Sequence, residues 1–224
     1  MSYLGIDLAS SPARASAYAL LGDDGSLREV GALGTDQEML LLAERARPSL
    51  VAIDAPLGLP RGMCCLELSC PCVPQAADGL RAAEREVIAR GFGLFRTTKK
   101  SIIKAMVYRG MALCRLLEGA GLRVLEVYPY ASKAVLFGRP LPKKTTAGGR
   151  AFVRARLEGL IPGLAGVGRA LGHDELDALV AAYTARLFAA GEAEELGEEL
   201  EGTICLPRPV EAGAERLAEL PGLC

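Results

Sequence analysis

LVAIDAPLGLP, residues 50–60, decides how this chain is read. Leu50-Val51-Ala52-Ile53 is an uninterrupted apolar run, closed by Asp54 and the Ala55-Pro56 step. A short run with no polar alternation fits a strand buried on both faces, as in the middle of a parallel sheet. Asp is depleted in strands, and a carboxylate among buried apolar residues is costly unless it is paired or holds a metal. Asp54 therefore marks the carboxyl end of a central strand as a place where chemistry is expected.

Working outward toward the N-terminus, GIDLA at 5–9 repeats the pattern, with a strand from Tyr3 to Leu8 that carries Asp7 at its end. Ala15 to Leu21 and Leu27 to Leu33 are β-prone runs joined by the Gly22-Asp23-Asp24-Gly25 turn, the signature of a hairpin. Asp36 is placed to cap a helix over 37–46, which Pro48 ends. Toward the C-terminus, residues 56–76 read as a Pro- and Cys-rich loop, 78–90 and 101–120 as helices, and Arg123 to Val127 as a strand with Glu126 near its end. A Pro/Gly/Lys/Thr loop follows at 138–149, then a helix at 150–160. Asp174 to Ala190 is a long helix with Leu176, Val180, Tyr183 and Leu187 on one face. The acidic stretch Glu192 to Glu201 reads as a solvated connection, and Gly202 to Leu206 as a last edge strand. Three strands, then helices alternating with strands, predict an α/β fold: a mixed sheet flanked by helices. The 224 residues suit one domain over 1–224, with a helical insertion at about 60–120 between central strands.

The acids form a pattern. Asp7, Asp54 and Glu126 each end or nearly end a strand, and Asp174 and Asp177 sit in the first turn of the long helix, three residues apart and so on one face. Ligands of open α/β sheets gather beyond the carboxyl ends of parallel strands. Converging carboxylates repel one another unless a cation neutralises them, and hard divalent ions with oxygen ligands, Mg²⁺ or Mn²⁺, are suited to that. Each acid also has a structural reading: Asp7 and Asp54 can satisfy turn backbone, Glu126 can pair with a base, and Asp174 at an N-cap with Asp177 at N3 can cap the helix. Only the joint pattern points to a site.

The net charge of −1 hides an asymmetry. From Val87 to Leu157 there are 15 Lys and Arg against two acids, and all six lysines lie between Lys99 and Lys144. Such a split suggests a basic surface that meets a polyanion, with a solvated face paired to the acidic body as the equal alternative. Arg96, Lys99, Lys100, Lys104, Lys143 and Lys144 are the candidate phosphate contacts. The aromatics Phe92 and Phe95 beside Arg96 could stack on bases. Four of seven cysteines cluster as Cys64, Cys65, Cys70 and Cys72. Their CC-x4-C-x-C spacing departs from the two separated pairs of a zinc motif, so metal binding, disulfides and reduced thiols all stay open.

The exclusions are useful. His173 is the single histidine, and no Gly-x-Ser-x-Gly elbow, Walker loop or Gly-x-Gly-x-x-Gly turn is present, which leaves triad hydrolases and nucleotide-cofactor enzymes unsupported. No run approaches the roughly 20 apolar residues of a membrane span. The start MSYLGID lacks a signal-peptide pattern, so a cytoplasmic protein is expected.

GIDLA at 5–9, VAIDAPLGLP at 51–60, RAAEREVIARG at 81–91, EVYPYAS at 126–132 and HDELDALVAAYTA at 173–185 together resemble the family called domain of unknown function 429, described as predicted nucleases with a ribonuclease H-like fold. The resemblance implies a sheet with the first-strand aspartate at its centre, as in ribonuclease H and Holliday-junction resolvases. It also implies an acidic cluster of Asp7, Asp54, Glu126 and Asp177, with Asp174 as a further partner. The cysteine cluster is not among these motifs. The expectation is a Mg²⁺- or Mn²⁺-dependent nuclease cleaving phosphodiester bonds in DNA or RNA, with nucleic acid as partner and a homodimer left open. The alternatives are a non-catalytic nucleic-acid-binding protein and a phosphotransferase of the actin-like and sugar-kinase type.

Overall fold

In the computed structural model residues 1–209 are described. The run at 50–54 is a strand, and it is central. Seven strands form one sheet: β1 (Ser2–Asp7), β2 (Ser16–Gly22), β3 (Leu27–Leu33), β4 (Leu50–Asp54), β5 (Val124–Val127), β6 (Ala193–Leu196) and β7 (Ile204–Pro207). Their order is β3-β2-β1-β4-β5-β7-β6. β2 is antiparallel to β1 and β3; β1, β4, β5 and β7 run parallel; β6 is antiparallel to β7. A three-strand meander continued by parallel strands on the β1 side is the ribonuclease H-like arrangement expected from the sequence.

Among the described residues six α-helices cover the sheet: α1 (Asp36–Ala46), α2 (Ala82–Ala89), α3 (Lys104–Gly119), α4 (Pro129–Phe137), α5 (Ala147–Glu158) and α6 (His173–Ala189). On one face, Tyr3, Leu50, Ala52, Leu125 and Val127 pack against α5 and α6. On the other, Leu4, Ile6, Val51 and Ile53 pack against Met39 and Leu42 of α1 and Leu113 and Leu117 of α3. Each central strand is apolar on both faces, which is why its sequence shows no alternation. The helices α2 and α3 and the long loop before them lie between β4 and β5.

Several local expectations are corrected. Thr35, not Asp36, caps α1: its hydroxyl accepts from Glu38 N at 3.1 Å, and Glu38 Oε2 accepts from Thr35 N at 2.9 Å. Asp36 is released to pair with Arg109 at 2.7 Å, tying α1 to α3. At α6 the N-cap is Gly172, and Glu175 accepts from its N–H at 2.9 Å, so neither Asp174 nor Asp177 is spent on capping. Between β5 and the 138–149 loop stands a helix the sequence did not announce, α4, which Pro129 starts at the first helical position. The acidic stretch 192–201 is no mere connection. It supplies β6, the edge strand, with Ala193 and Leu196 buried and Glu194 paired to Arg90 at 2.7 Å. Its last acid, Glu201, is buried. The strand read as an edge, β7, lies inside it.

The fit of α6 on β1 depends on one residue. A Cβ at Gly5 would sit 2.2 Å from Ala178 O and 2.3 Å from Ala182 N, inside the helix backbone. Ala178, Ala181, Ala182 and Ala185 keep the facing helix surface small. Gly5→Ala is expected to lower stability by about 2–3 kcal/mol, as overpacking of a rigid core does, read as a fall in the urea midpoint.

Candidate active site

Asp7 pairs in register with Asp54 across the parallel β1–β4 ladder. In-register neighbours on parallel strands lie about 4.8 Å apart and project to the same face. Ile6, Leu8, Ile53 and Ala55, the residues flanking the two acids, all belong to the α1/α3 face. Alternation therefore turns Asp7 and Asp54 to the α6 face. There Asp177, only 2 % exposed, comes down from the second turn of α6. Asp174 joins them from the first turn, and all four acids line a cavity of about 620 Å³.

This cluster is electrostatically frustrated. Asp7 is pushed up from its ordinary 3.8 to about 9, first by burial, then by Asp54, Asp177 and Asp174, with Lys144 opposing. Asp54 is pushed up to about 8, by burial first and then Asp177, while Lys144 and Lys133 pull the other way. Asp7 Oδ2 is buried without a hydrogen-bond partner. Asp177 has counter-charges: Lys133 Nζ donates to its Oδ1, and Lys144 Nζ to its Oδ2 at 2.8 Å. Oxygen donors from the half-buried Asp7 and Asp54 and the buried Asp177, with a shortage of positive charge and an unsatisfied lone pair, are what a hard divalent ion fits. His173 stands at the rim, its Nδ1 2.6 Å from Asp174 Oδ1.

Glu126 lines the same cavity, but it reaches it from the other side of the sheet with its carboxylate already engaged. It pairs in register with Ile53, and its neighbours Leu125 and Val127 belong to the α6 face, so its carboxylate projects to the opposite side from Asp7 and Asp54. Both oxygens are engaged there. Arg81 donates to them through Nη1, at 2.8 Å, and Nη2, and Leu57 N donates to Oε2 at 2.7 Å. The Arg81 guanidinium is itself fully enclosed, beside the buried Glu84, which accepts from Thr97 N at 2.7 Å. Glu201 completes the network by accepting from Arg61 N at 2.7 Å and Ala82 N at 2.6 Å. The acids of this network fasten the 57–97 segment under the cavity.

Of the six basic candidates, only Lys144 lines the cavity, and it is engaged by Asp177. Lys104 pairs with Glu67 at 3.5 Å, and Lys99 donates to Cys70 O. Arg96, Lys100 and Lys143 are exposed and stand outside the cavity lining. Phe92 is core, covered by Arg139 at 3.9 Å over its ring. Phe95 instead lines the cavity while 64 % exposed, and Tyr130, 48 % exposed, does the same from α4. Sequence reasoning missed Lys133 and Arg81. A signal was present for the first: Lys133 is the only charged residue in the apolar helix PYASKAVLF.

A family described as "Protein of unknown function (DUF429)" matches residues 5–202. The chain belongs to this family. The matched span carries Asp7, Asp54, Asp174 and Asp177 and all of the buried Arg81 network. Among curated proteins no match is found. Two solved structures are similar. Thermus thermophilus RuvC is 15 % identical over 85 % of this chain and 97 % of its own, with a TM-score of 0.48. T. thermophilus RuvC in complex with Holliday junction substrate is 14 % identical over 91 % and 99 %, with a TM-score of 0.45. At that distance neither likeness bears on activity, so the site of this DUF429 chain is argued from its own geometry. No helix among the described residues is long and apolar enough to cross a membrane.

Two outcomes follow. Because Asp7 and Asp54 have raised values in the folded state, the stability they lend the metal-free protein is full below about pH 4. It drains away as pH rises through about 8 and 9. The melting temperature of metal-free protein should therefore gain this downward component with pH, and Mn²⁺ should raise it more at pH 8.5 than at pH 5, taking those two pH values as roughly bracketing the titration. In Asp7→Asn both effects should shrink; a Mn²⁺ increment equal at the two pH values would contradict the cluster as drawn. Separately, Glu126→Gln should cost about 3–5 kcal/mol in urea unfolding, as breaking a buried ion pair does.

Proposed function

We propose that this protein is a divalent-metal-dependent nuclease that hydrolyses phosphodiester bonds in DNA or RNA. The observation that carries the reading is the in-register pair Asp7 and Asp54 beneath the buried Asp177, half-buried, mutually repelling and short of positive charge at the carboxyl ends of two parallel strands. Asp7, Asp54 and Asp177, with Asp174, would hold Mg²⁺ or Mn²⁺. Such ions supply an activated water and stabilise the leaving oxygen in phosphodiester hydrolysis.

The chain's own side chains account for the rest. Lys133, 4 % exposed, holds one oxygen of Asp177 and so fixes the carboxylate's direction. Lys144 sits on the loop between α4 and α5 with its side chain half exposed. When a phosphate enters, its ammonium can exchange the Asp177 oxygen for a phosphate oxygen without leaving the cavity. An acidic floor repels a phosphodiester on its own, so a mobile cation at the rim lowers the cost of entry. Phe95 and Tyr130 give the mouth exposed aromatic faces, a feature that suits unstacked bases and favours a nucleic acid over a small phosphate ester. Glu126 is a positioning residue in this reading, since Arg81 and Leu57 occupy its carboxylate.

The test is incubation of purified protein with labelled single-stranded, duplex and branched DNA and RNA in Mg²⁺, Mn²⁺ or chelator. Cleavage should need the metal and fall by about 10³-fold or more in Asp7→Asn. Phe95→Ala should raise KM about tenfold with kcat little changed, the value of one base–aromatic stack. Folded wild-type protein that cleaves none of these substrates with either metal would overturn the reading.

A further inference from the structure

The loop between β4 and α2, residues 55–81, runs for 27 residues without helix or strand. Irregular segments that long in a compact domain usually need something to hold them. One anchor is apolar: Leu66 is fully buried. Others are polar. Tyr108 Oη of α3 accepts from Leu66 N at 2.7 Å and donates to Glu67 Oε1 at 2.8 Å, and Gln75 N donates to Arg61 O at 2.8 Å across the loop's base. The stretch from Cys70 to Cys72 is held only by local bonds, Cys70 N to Glu67 O at 3.2 Å and Cys72 Sγ to Cys65 O at 3.6 Å, and by the Lys99 ammonium on the Cys70 carbonyl.

At that stretch the fold does something the spacing does not announce. The sulfurs of Cys64, Cys65, Cys70 and Cys72 all lie within 4.8 Å of one another, and Cys64 and Cys70 are 3.5 Å apart. All four are free thiols. A tetrahedral ion with four sulfurs at about 2.3 Å sets them about 3.8 Å apart, so the observed group needs only small adjustments to enclose one ion. A disulfide requires sulfurs in bonding contact at about 2.05 Å. An iron–sulfur cluster interposes several irons and sulfides, and its four thiolates stand further apart than those of a single ion.

We propose that Cys64, Cys65, Cys70 and Cys72 form a structural zinc site, one Zn²⁺ held by four thiolates, that anchors this loop to the wall of the cavity. The donor set is soft and complete, which leaves no open position and assigns the ion a structural rather than a catalytic role. Binding converts four thiols to thiolates and releases their four protons to solvent. The resulting complex carries two net negative charges, and basic groups are at hand: Lys99 on the Cys70 carbonyl, and Lys104 beside Glu67 at 3.5 Å. This explains why two of the lysines at first assigned to phosphate face the loop. The tether also reaches the cavity, because Leu94, Phe95, Ile103 and Met106, on the same segment as Lys99 and Lys104, line it. The inference stands on the loop geometry and is independent of the nuclease reading.

The test uses the full chain, purified under reducing conditions. Metal analysis should find one zinc per chain. After chelation, Co²⁺ titration should saturate at one equivalent with the intense ligand-field and sulfur-to-cobalt absorption of a tetrahedral tetrathiolate, and Zn²⁺ should displace it. That signal should persist in Asp7→Asn/Asp177→Asn, which alters the carboxylate cavity, and vanish in Cys70→Ser/Cys72→Ser. Removal of zinc should lower the melting temperature by about 5–10 °C. The wild-type titration decides the matter even if the cysteine variant does not fold. Reduced, folded wild-type chain that develops no cobalt–thiolate absorption would overturn the proposal. So would isolation of the protein with these cysteines in disulfides or with acid-labile sulfide.

Discussion

The backbone of α6 rests directly on β1 at Gly5, where there is no room for a single extra carbon. That contact sets how close the helix comes to the sheet, and the site depends on it. Asp177 immediately precedes Ala178–Ala182, the stretch that touches Gly5, so its carboxylate is held just above the ends of β1 and β4. Had the helix been lifted by a side chain, Asp177 would stand further from Asp7 and Asp54, and water between them would relieve their repulsion. Close packing here is a means of concentrating negative charge.

The two faces of the sheet then divide the labour among the acids. On the α6 face, Asp7 and Asp54 are left short of partners, and Lys133 and Lys144 give Asp177 part of the compensation. On the opposite face, Glu126, Glu84 and Glu201 are all engaged, by Arg81 and by backbone N–H groups of the 57–97 segment. A fully satisfied buried network can hold an irregular segment in a single arrangement. An under-satisfied one stores the capacity to bind a cation. The structure places one kind beside the other, separated by the alternation of strands a few residues long.

The cavity wall formed by residues 94–106 joins these two systems to the cysteine loop. Thr97 is fastened to Glu84 from below, and Lys99 to the loop from outside. Just before those fastenings Phe95 stays exposed. A rigid support under an exposed aromatic ring lets the ring stack on a ligand without losing much conformational freedom.

The sequence by itself determined the central strands, while β6 stayed hidden in an acidic stretch. Continuous apolar runs such as Leu50–Ile53 need no tertiary information to be read, and Asp7 and Asp54 could be picked out because acids are costly at the ends of such runs. Register was beyond its reach. Whether an acid at a strand end is left free beside Asp54 depends on a one-residue offset, which places Glu126 opposite Ile53 rather than Asp54, so that it lines the same cavity with its carboxylate already bound by Arg81. Charge counting marked residues 87–157 as basic but could not tell a lysine bound for solvent from Lys133 or Lys144, drawn in by a carboxylate on a helix far along the chain. The CC-x4-C-x-C run has no standard spacing, because it is the closure of a loop rather than the reach of a short motif that brings its four sulfurs together. Each of these was decided only in the tertiary structure, where pairings distant in sequence determine which charges and thiols meet.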